Sequence, residues 1–445
     1  MIDLYELTMA QCYFAYKRDT WATFELFVRE LPRNRSYLIA AGLTDILEYV
    51  RKIKFDLQAL AYLGKLRLFS HPFLKYLSRF KFSGDIWAMR EGEVFFAQEP
   101  VIRVTAPLIE AQILESFFLN TLHLQSMIAS KASRVVAAAS GRNCFDFALR
   151  RTHGQDAGIK VARSAYIAGF SGTSCVLAGK RYDIPVAGTM AHSFVMSFEN
   201  ELESFLAYTK SFPAKSILLV DTYNTKKGIT NAIAAGLRLK EKGAHLRGIR
   251  LDSGNMVSLS KLARRMLDAA GLDYVKIFAS GNLDEFKIRD LLKKGACIDN
   301  FGVGTHMGTS EDAPSLDVIY KICEIGDGRG RFFPTMKLSR GKVTYPGRKQ
   351  VFRLRDKRKK SAKDILALEK EKIAGRPLLI KIVKGGKVIY RPPTINKIRD
   401  FARHNLAGFP EALKAVSGRY KYPVVVSPQL KKLRTRLSMI LENRQ

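Results

Sequence analysis

From about residue 143 the chain repeats one pattern: a short apolar run, then glycine with a polar or charged residue, then an amphipathic stretch. The runs are CFDFALR, AYIAGFSG, PVAGTMAHS, SILLVDTYN, GIRLDSGN, VKIFASGN and NFGVGTHM. Between the later ones lie TKKGITNAIAAGLRLKEKG and SLSKLARRMLDAAG, whose apolar residues recur with a helical period. The last four runs begin roughly 24–32 residues apart, the length of a strand–loop–helix–loop unit. Strands that alternate with helices dictate a parallel sheet. Six or seven such strands, with polar residues gathered at their C-terminal ends, favour a (β/α) barrel; a doubly wound open sheet is the alternative.

The flanking segments read differently. Residues 3–17 have helical spacing, WATFELFVREL alternates like a half-buried strand, and 43–82 read as several short helices. GDIWAMREGEVFFAQEPVIRVTAP reads as strands joined by turns, and a long helix is expected from about Leu108 to Ser140. After Lys342 the pattern passes to PGRKQVFRLR and then to basic helices. The expected organisation is an N-terminal α/β domain over 1–140, a barrel over 141–335, and a basic C-terminal segment over 336–445 that packs partly on the N-terminal domain.

Composition bounds the class. Hydrophobic residues make up 47% of the chain, which excludes wholesale disorder. No apolar run reaches the ~18–20 residues of a membrane span, and MIDLYELTMAQ is unlike a secretory signal. Cys12, Cys144, Cys175, Cys297 and Cys323 show no paired spacing, so reduced thiols in a cytoplasmic protein are expected. The formal charge is +33. Residues 336–445 carry 30 Lys and Arg against 7 Asp and Glu, leaving 44 against 34 for residues 1–335. That excess, in stretches such as RLRDKRKKSAKD and LKKLRTRLSMI, attracts any polyanion or is a solvated basic face. No zinc-finger or RNP-type signature accompanies it, so nucleic acid is not expected as the main partner.

The polar residues at the strand ends are the candidate site. His192 follows PVAGTMA and opens HSFVMSFENELESFLAYTK, which reads as one amphipathic helix. It is either a packed core histidine or a ring kept neutral by the helix dipole, at a helix end that also attracts phosphate. In GIRLDSGN, Arg250 and Asp252 share one face, with Ser253 and Gly254 making the turn. The carboxylate suits ribose hydroxyls or Mg²⁺, and the guanidinium a carboxylate or an aromatic ring. Asp221, ending SILLVD, is a candidate Mg²⁺ ligand on the same grounds. Ala279–Asn282 and Gly302–Thr305 end the last two strands, where barrel loops often bind phosphate through backbone N–H groups. Arg150 and Arg151 close CFDFALRR and suit pyrophosphate or carboxylate. No H-E-x-x-H, P-loop, G-x-S-x-G or EF-hand pattern occurs.

Seven segments together carry a family resemblance: DLYELTMA (3–10), ATFELFVRELPRNRSYLIAAGL (22–43), VAGTMAHSFVMSF (186–198), LLVDTYNT (218–225), IRLDSGN (249–255), NFGVGT (300–305) and KLSRGKVTYPGRKQVFR (337–353). In this order they resemble nicotinate phosphoribosyltransferases, over residues 1 to about 355. The resemblance implies an irregular (β/α) barrel of the type II phosphoribosyltransferase kind, with a second α/β domain from the N-terminal and part of the C-terminal segments. It implies a homodimer with shared active sites, no membrane, and the joining of nicotinate to phosphoribosyl pyrophosphate. The products would be nicotinate mononucleotide and pyrophosphate, the first step of NAD salvage from nicotinate, with Mg²⁺ as cofactor and ATP as co-substrate.

By the same resemblance His192 is transiently phosphorylated by ATP, and Tyr5 reaches the partner subunit's site to stack on the pyridine ring; from spacing alone Tyr5 reads as a core aromatic. Arg250 and Asp252 are implied to line the base and ribose, Gly304 and Thr305 the phosphate loop, and Leu149 and Arg150 the substrate side of the first barrel strand. Gly188, Ser253 and Asn282 complete the substrate-binding set. Asn255, Ser280-Gly281-Asn282 and Thr305-His306-Met307 depart from the family pattern, which keeps nicotinamide phosphoribosyltransferase as the alternative. A basic nucleic-acid-binding protein on a barrel scaffold is the alternative of another class.

Overall fold

The computed structural model describes residues 1–327, 330–339 and 344–443; residues 340–343, inside the KLSRGKVTYPGRKQVFR segment, lie outside the described part. The chain divides into two units: Met1–Met127 with Ser315–Leu413 and Arg419–Gln445, and Ile128–Pro314 with Lys414–Gly418.

The first unit is built on a seven-stranded antiparallel sheet. Strand Trp21–Val28 lies between Val318–Gly326 and Pro100–Pro107. It is buried almost throughout rather than on one face. The polar positions of WATFELFV alternate because each meets a partner: Thr23 bonds Thr105 at 3.0 Å and Glu25 pairs with Lys349 at 2.8 Å. Val318–Gly326 pairs along its length with Trp21–Val28 and belongs to the first unit, and the second unit's main segment runs from Ile128 to Pro314. Residues 43–82 form three helices, Leu43–Lys52, Leu57–Lys65 and His71–Leu77. Phe55, Phe69, Phe73 and Phe80 pack in one buried cluster with Leu7 of helix Leu4–Tyr16. The long helix expected from Leu108 breaks at Leu114 into Leu108–Ile113 and Glu115–Ala138. The C-terminal segment mixes strand and helix: RLRDKRKKSAKD is a hairpin between Lys349–Arg355 and Ser361–Leu368, and the expected basic helices follow as Ile395–Ala407 and Pro428–Glu442.

The second unit holds six parallel strands. Their order is Gly172–Thr173, Asn143–Asp146, Asn300–Val303, Lys276–Ala279, Gly248–Leu251, Ile217–Leu219. Neighbours in the chain are neighbours in the sheet, and the last strand pairs with the first: Asn300–Val303 lies against Asn143–Asp146. An open doubly wound sheet reverses direction at a switch point instead, so this order is that of a wound (β/α) barrel. The irregularity falls between residues 186 and 217. PVAGTMA supplies one bridge, Thr173 to Val186, and no strand is described from there to Ile217. AYIAGFSG is likewise not a strand. Its AYI closes helix Gln155–Ile167, and only Gly172–Thr173 enters the sheet. Gly302 lies against the Phe147 ring, which requires a small residue there: a Cβ would lie 2.5 Å from it.

Candidate active site

Four polar side chains, those of Arg250, Ser280, Asp252 and Thr189, form one hydrogen-bonded chain, with Asp221, Ser253, Thr222 and His192 beside it. Arg250, on strand Gly248–Leu251, is the hub. Its Nε donates to Ser280 Oγ at 2.8 Å, Nη1 to Thr189 Oγ1 at 2.8 Å and to the Met190 carbonyl at 3.2 Å, and Nη2 to Asp252 Oδ1 at 2.9 Å. Four of the five N–H groups of the guanidinium are therefore engaged within the protein. Its face lies 5.7 Å from the centre of the Phe147 ring. Ser280 Oγ, buried, donates in turn to Asp252 Oδ1.

Burial pushes the Asp252 carboxyl upward, but the Ser280 and Arg250 hydrogen bonds, the Arg250 charge and His192 outweigh it. The group is held below the usual aspartate range and is ionised at neutral pH.

Asp221 fixes the turn that carries Asp252. Its Oδ2 accepts from the Asp252 amide at 2.8 Å, the Ser253 amide at 2.7 Å and Ser253 Oγ at 2.8 Å. Its Oδ1 is buried without a hydrogen-bond partner. Thr222, the next residue, bonds His192 Nδ1 at 3.1 Å through Oγ1. His192 begins a helix of only five residues, His192–Met196. The single helix expected there is broken, because Asn200 caps a second one, Glu201–Ser211. The dipole at His192 is thus that of about one turn, and its hydrogen bond to Thr222 is what orients the ring.

The remaining predicted residues surround this chain unequally. Gly281 has φ +91°, and a Cβ there would lie 1.9 Å from the Asp252 carbonyl oxygen. Asn282, also left-handed at φ 53°, follows it exposed, its carbonyl accepting from Lys287 Nζ at 2.8 Å. Gly188 faces open space. Gly304 packs on the Phe147 backbone and opens the one-turn helix Thr305–Gly308, and Thr305 Oγ1 meets Arg151 at 3.4 Å. Leu149 and Arg150 are not on the strand, which ends at Asp146. They lie exposed in the 3₁₀ turn Leu149–Arg151 beyond it. Tyr5 belongs to the first unit. It is 46% exposed on helix Leu4–Tyr16, not a core residue, and burial and Glu115 raise its hydroxyl pKa.

Sequence reasoning passed over Thr189, Thr222 and Phe147, and the bridging role of Ser280. Thr189 and Thr222 stood inside quoted motifs, but nothing in the spacing says which hydroxyl meets which partner. Asp146 was also missed. It is fully buried and tied to Thr173 Oγ1 at 2.7 Å and to the Ala148 amide at 2.9 Å, and burial pushes its pKa up to about 6.

Two clefts flank the unit. One of about 470 Å³, lined by Asp252, Ser253, Gly254, Gly281 and Lys287 among others, opens beside the Asp252 turn. A larger one of about 750 Å³ lies at the opposite ends of the strands. Its cations are spent on the fold: Arg142 on the Ile298 carbonyl, Arg264 on Asp268, Lys276 on Asp299.

The family described as nicotinate phosphoribosyltransferase (NAPRTase) matches residues 142–324, its N-terminal domain residues 1–123, and its C-terminal domain residues 374–434. A nicotinate phosphoribosyltransferase of Mycobacterium tuberculosis is 48% identical over 96% of this chain and 91% of its own length. That of Bacillus subtilis is 38% identical, over 96% and 92%. The crystal structure of human nicotinic acid phosphoribosyltransferase superposes with a TM-score of 0.88 at 27% identity, covering 98% of this chain and all of that one.

Proposed function

The chain belongs to the nicotinate phosphoribosyltransferase family, and from that membership we propose that it transfers phosphoribose from phosphoribosyl pyrophosphate to nicotinate, in NAD salvage, with coupled ATP hydrolysis. The observation that carries the reading is the Arg250–Ser280–Asp252 chain beside His192 and Asp221. Displacement at C1′ builds positive charge on the ribose. A carboxylate already ionised and already oriented stabilises that charge without reorganising. Asp252 is such a group. Arg250, with one N–H left over, serves chiefly to hold it and the Thr189–Met190 segment, offering a single further hydrogen bond to substrate. Phosphate groups fit the amides of the Gly281–Asn282 and Gly304–Thr305 turns and the exposed Arg150.

Mg²⁺ would be held by Asp252 and Asp221, whose Oδ1 is buried and unpartnered. Bound there, it would neutralise pyrophosphate charge, as this ion usually does with one or two carboxylates and substrate oxygens. Among the described residues no group of three or more His, Cys, Asp or Glu side chains is gathered for a metal.

His192 is the group for transient phosphorylation by ATP. Thr222 on Nδ1 leaves Nε2 as the ring atom for that step. The half-exposed Tyr5 supports a homodimer in which it reaches the partner subunit's base site. Asn255, at which nicotinamide enzymes remained an alternative, caps helix Met256–Ala269 through the Ser258 amide at 3.2 Å. An aspartate would cap as well, so the choice of nicotinate rests on the named relatives.

The test is mononucleotide formation from nicotinate, nicotinamide and quinolinate in parallel, each with and without ATP. Nicotinate alone should react efficiently, faster with ATP. No product from any base would end the proposal.

A further inference from the structure

The reaction leaves the C-terminal excess of positive charge without a role, and the structure concentrates part of it at one point. Strands Lys349–Arg355 and Ser361–Leu368 pair antiparallel, and Arg355 with the connection Asp356-Lys357-Arg358-Lys359-Lys360 forms the tip. The one acid among these residues is consumed by the turn. Asp356 Oδ1 accepts from the Arg358 amide at 2.9 Å and the Lys360 amide at 2.8 Å. Lys360 is used as well, since its Nζ donates to the Ala407 carbonyl at 2.7 Å at the end of helix Ile395–Ala407. The Ser361 amide bonds the Gly408 carbonyl at 2.8 Å beside it, so the base of the hairpin is fastened down.

Four cations remain: Arg355, Lys357, Arg358 and Lys359. All are exposed, and none forms an ion pair among the described residues. Two features show that this arrangement is held against its own cost. Like charges crowded on a tight turn repel one another. Lys359 also occupies the left-handed region, at φ 59°, where hairpin turns ordinarily place glycine. A turn that needed only to close would carry neither the charge nor the strained lysine.

We propose that this hairpin tip is a docking point for the phosphodiester backbone of nucleic acid, separate from phosphoribosyl transfer. A fixed cluster of Lys and Arg gains affinity by releasing the counterions of a polyanion. An acidic membrane is the less suitable partner. Surface-seeking segments pair cations with apolar anchors, whereas the large exposed apolar residues of this part of the chain are Ile389, Val425, Met439 and Ile440, none on the tip. The tip has no aromatic ring on which to stack a base, so binding is independent of sequence.

The experiment is fluorescence anisotropy of a labelled 20-nucleotide single-stranded RNA titrated with the full chain, from 50 to 200 mM KCl. Four phosphate contacts correspond to a slope of about −2.8 in log K against log salt, or roughly 50-fold weakening over that range. The variant R355Q/K357Q/R358Q/K359G should lose at least about tenfold in affinity at 50 mM and flatten the slope by about 2.8. Its retained phosphoribosyl transfer would show that it is folded. Wild-type RNA binding that the variant keeps, no binding at 50 mM, or tighter binding to phosphatidylserine vesicles than to RNA would each overturn the proposal.

Discussion

Replacing Ser280 by alanine tests the polar chain at its middle. The hydroxyl is 4% exposed and joins two charged groups, accepting from Arg250 Nε and donating to Asp252 Oδ1. Among the influences that lower the Asp252 pKa it stands first, while burial pushes the other way. A hydrogen bond to an ionised group contributes about 1.5–3 kcal/mol. Because the Asp252 side chain is 30% exposed, the lower end applies, about 1.5 kcal/mol. The sign follows from the direction of the shift. Asp252 is depressed in the fold, so its ionisation stabilises the protein above the unfolded pKa, and that contribution is lost as pH falls through the folded value. Alanine at 280 raises the folded value and moves the loss to higher pH. In S280A the acid limb of kcat/KM for nicotinate should move to higher pH, while near neutrality, where Asp252 is ionised with or without Ser280, any loss comes from its freer orientation. S280T, which keeps the hydroxyl, should restore the limb. A purely structural serine would lower the melting temperature and leave the limb in place. An acid limb unmoved in S280A would refute the reasoning.

His192→Ala should abolish acid-labile labelling of the protein by γ-³²P-ATP and remove ATP stimulation while leaving a basal transfer rate; full stimulation in the variant would dismiss the coupling role. Gly281→Ala places a methyl 1.9 Å from the Asp252 carbonyl oxygen at φ +91°. A loss of about 3 kcal/mol or more is expected in urea unfolding, since strain and overpacking add. Asp146 is raised from 3.8 to about 6 by burial, so the fold disfavours its charge, and stability from this group falls as pH rises between those values. Asp146→Asn should erase that fall, up to about 3 kcal/mol between pH 4 and 6; an unchanged pH–stability curve would show that the carboxyl is not protonated in the fold.

The barrel was legible because its signal is a rhythm: four strand–helix units of nearly equal length leave few topologies, and the pairing of Asn300–Val303 with Asn143–Asp146 is the closure they imply. What the rhythm could not show was where an element stops. AYIAGF is apolar enough for a strand, yet its first half completes a helix, because periodicity in a short run does not separate the two. HSFVMSFENELESF keeps its helical period across a break that only the side chain of Asn200, capping the second helix, discloses. Strand Trp21–Val28 looked half-buried because Glu25 is charged, and that inference fails wherever a distant residue such as Lys349 supplies the counter-charge. The site divides in the same way. Strand alternation places Arg250 and Asp252 on one face. The link through Ser280 crosses to the neighbouring strand, and register between strands is not written in either segment alone.

The two carboxylates at the ends of Ile217–Leu219 and Gly248–Leu251 have been given different work by their hydrogen bonds. Asp221 spends one oxygen on three donors of the 252–253 turn, which fixes the backbone from which Asp252 projects. Asp252 spends its Oδ1 on Arg250 and Ser280 and so enters the reaction already charged. Arg250 and Asp252 largely neutralise one another before substrate arrives, so they cannot be the main source of attraction for a ligand carrying several phosphates. That attraction falls to groups outside the pair, the turn amides and the exposed Arg150 and Lys287, whose side chains remain open to solvent. On the proposed function, recognition and transition-state stabilisation would therefore fall to different residues. Neutralising Arg150 should raise KM for phosphoribosyl pyrophosphate with kcat little changed, whereas S280A acts on kcat and on the pH profile; if both variants moved only KM, this division of labour would be wrong.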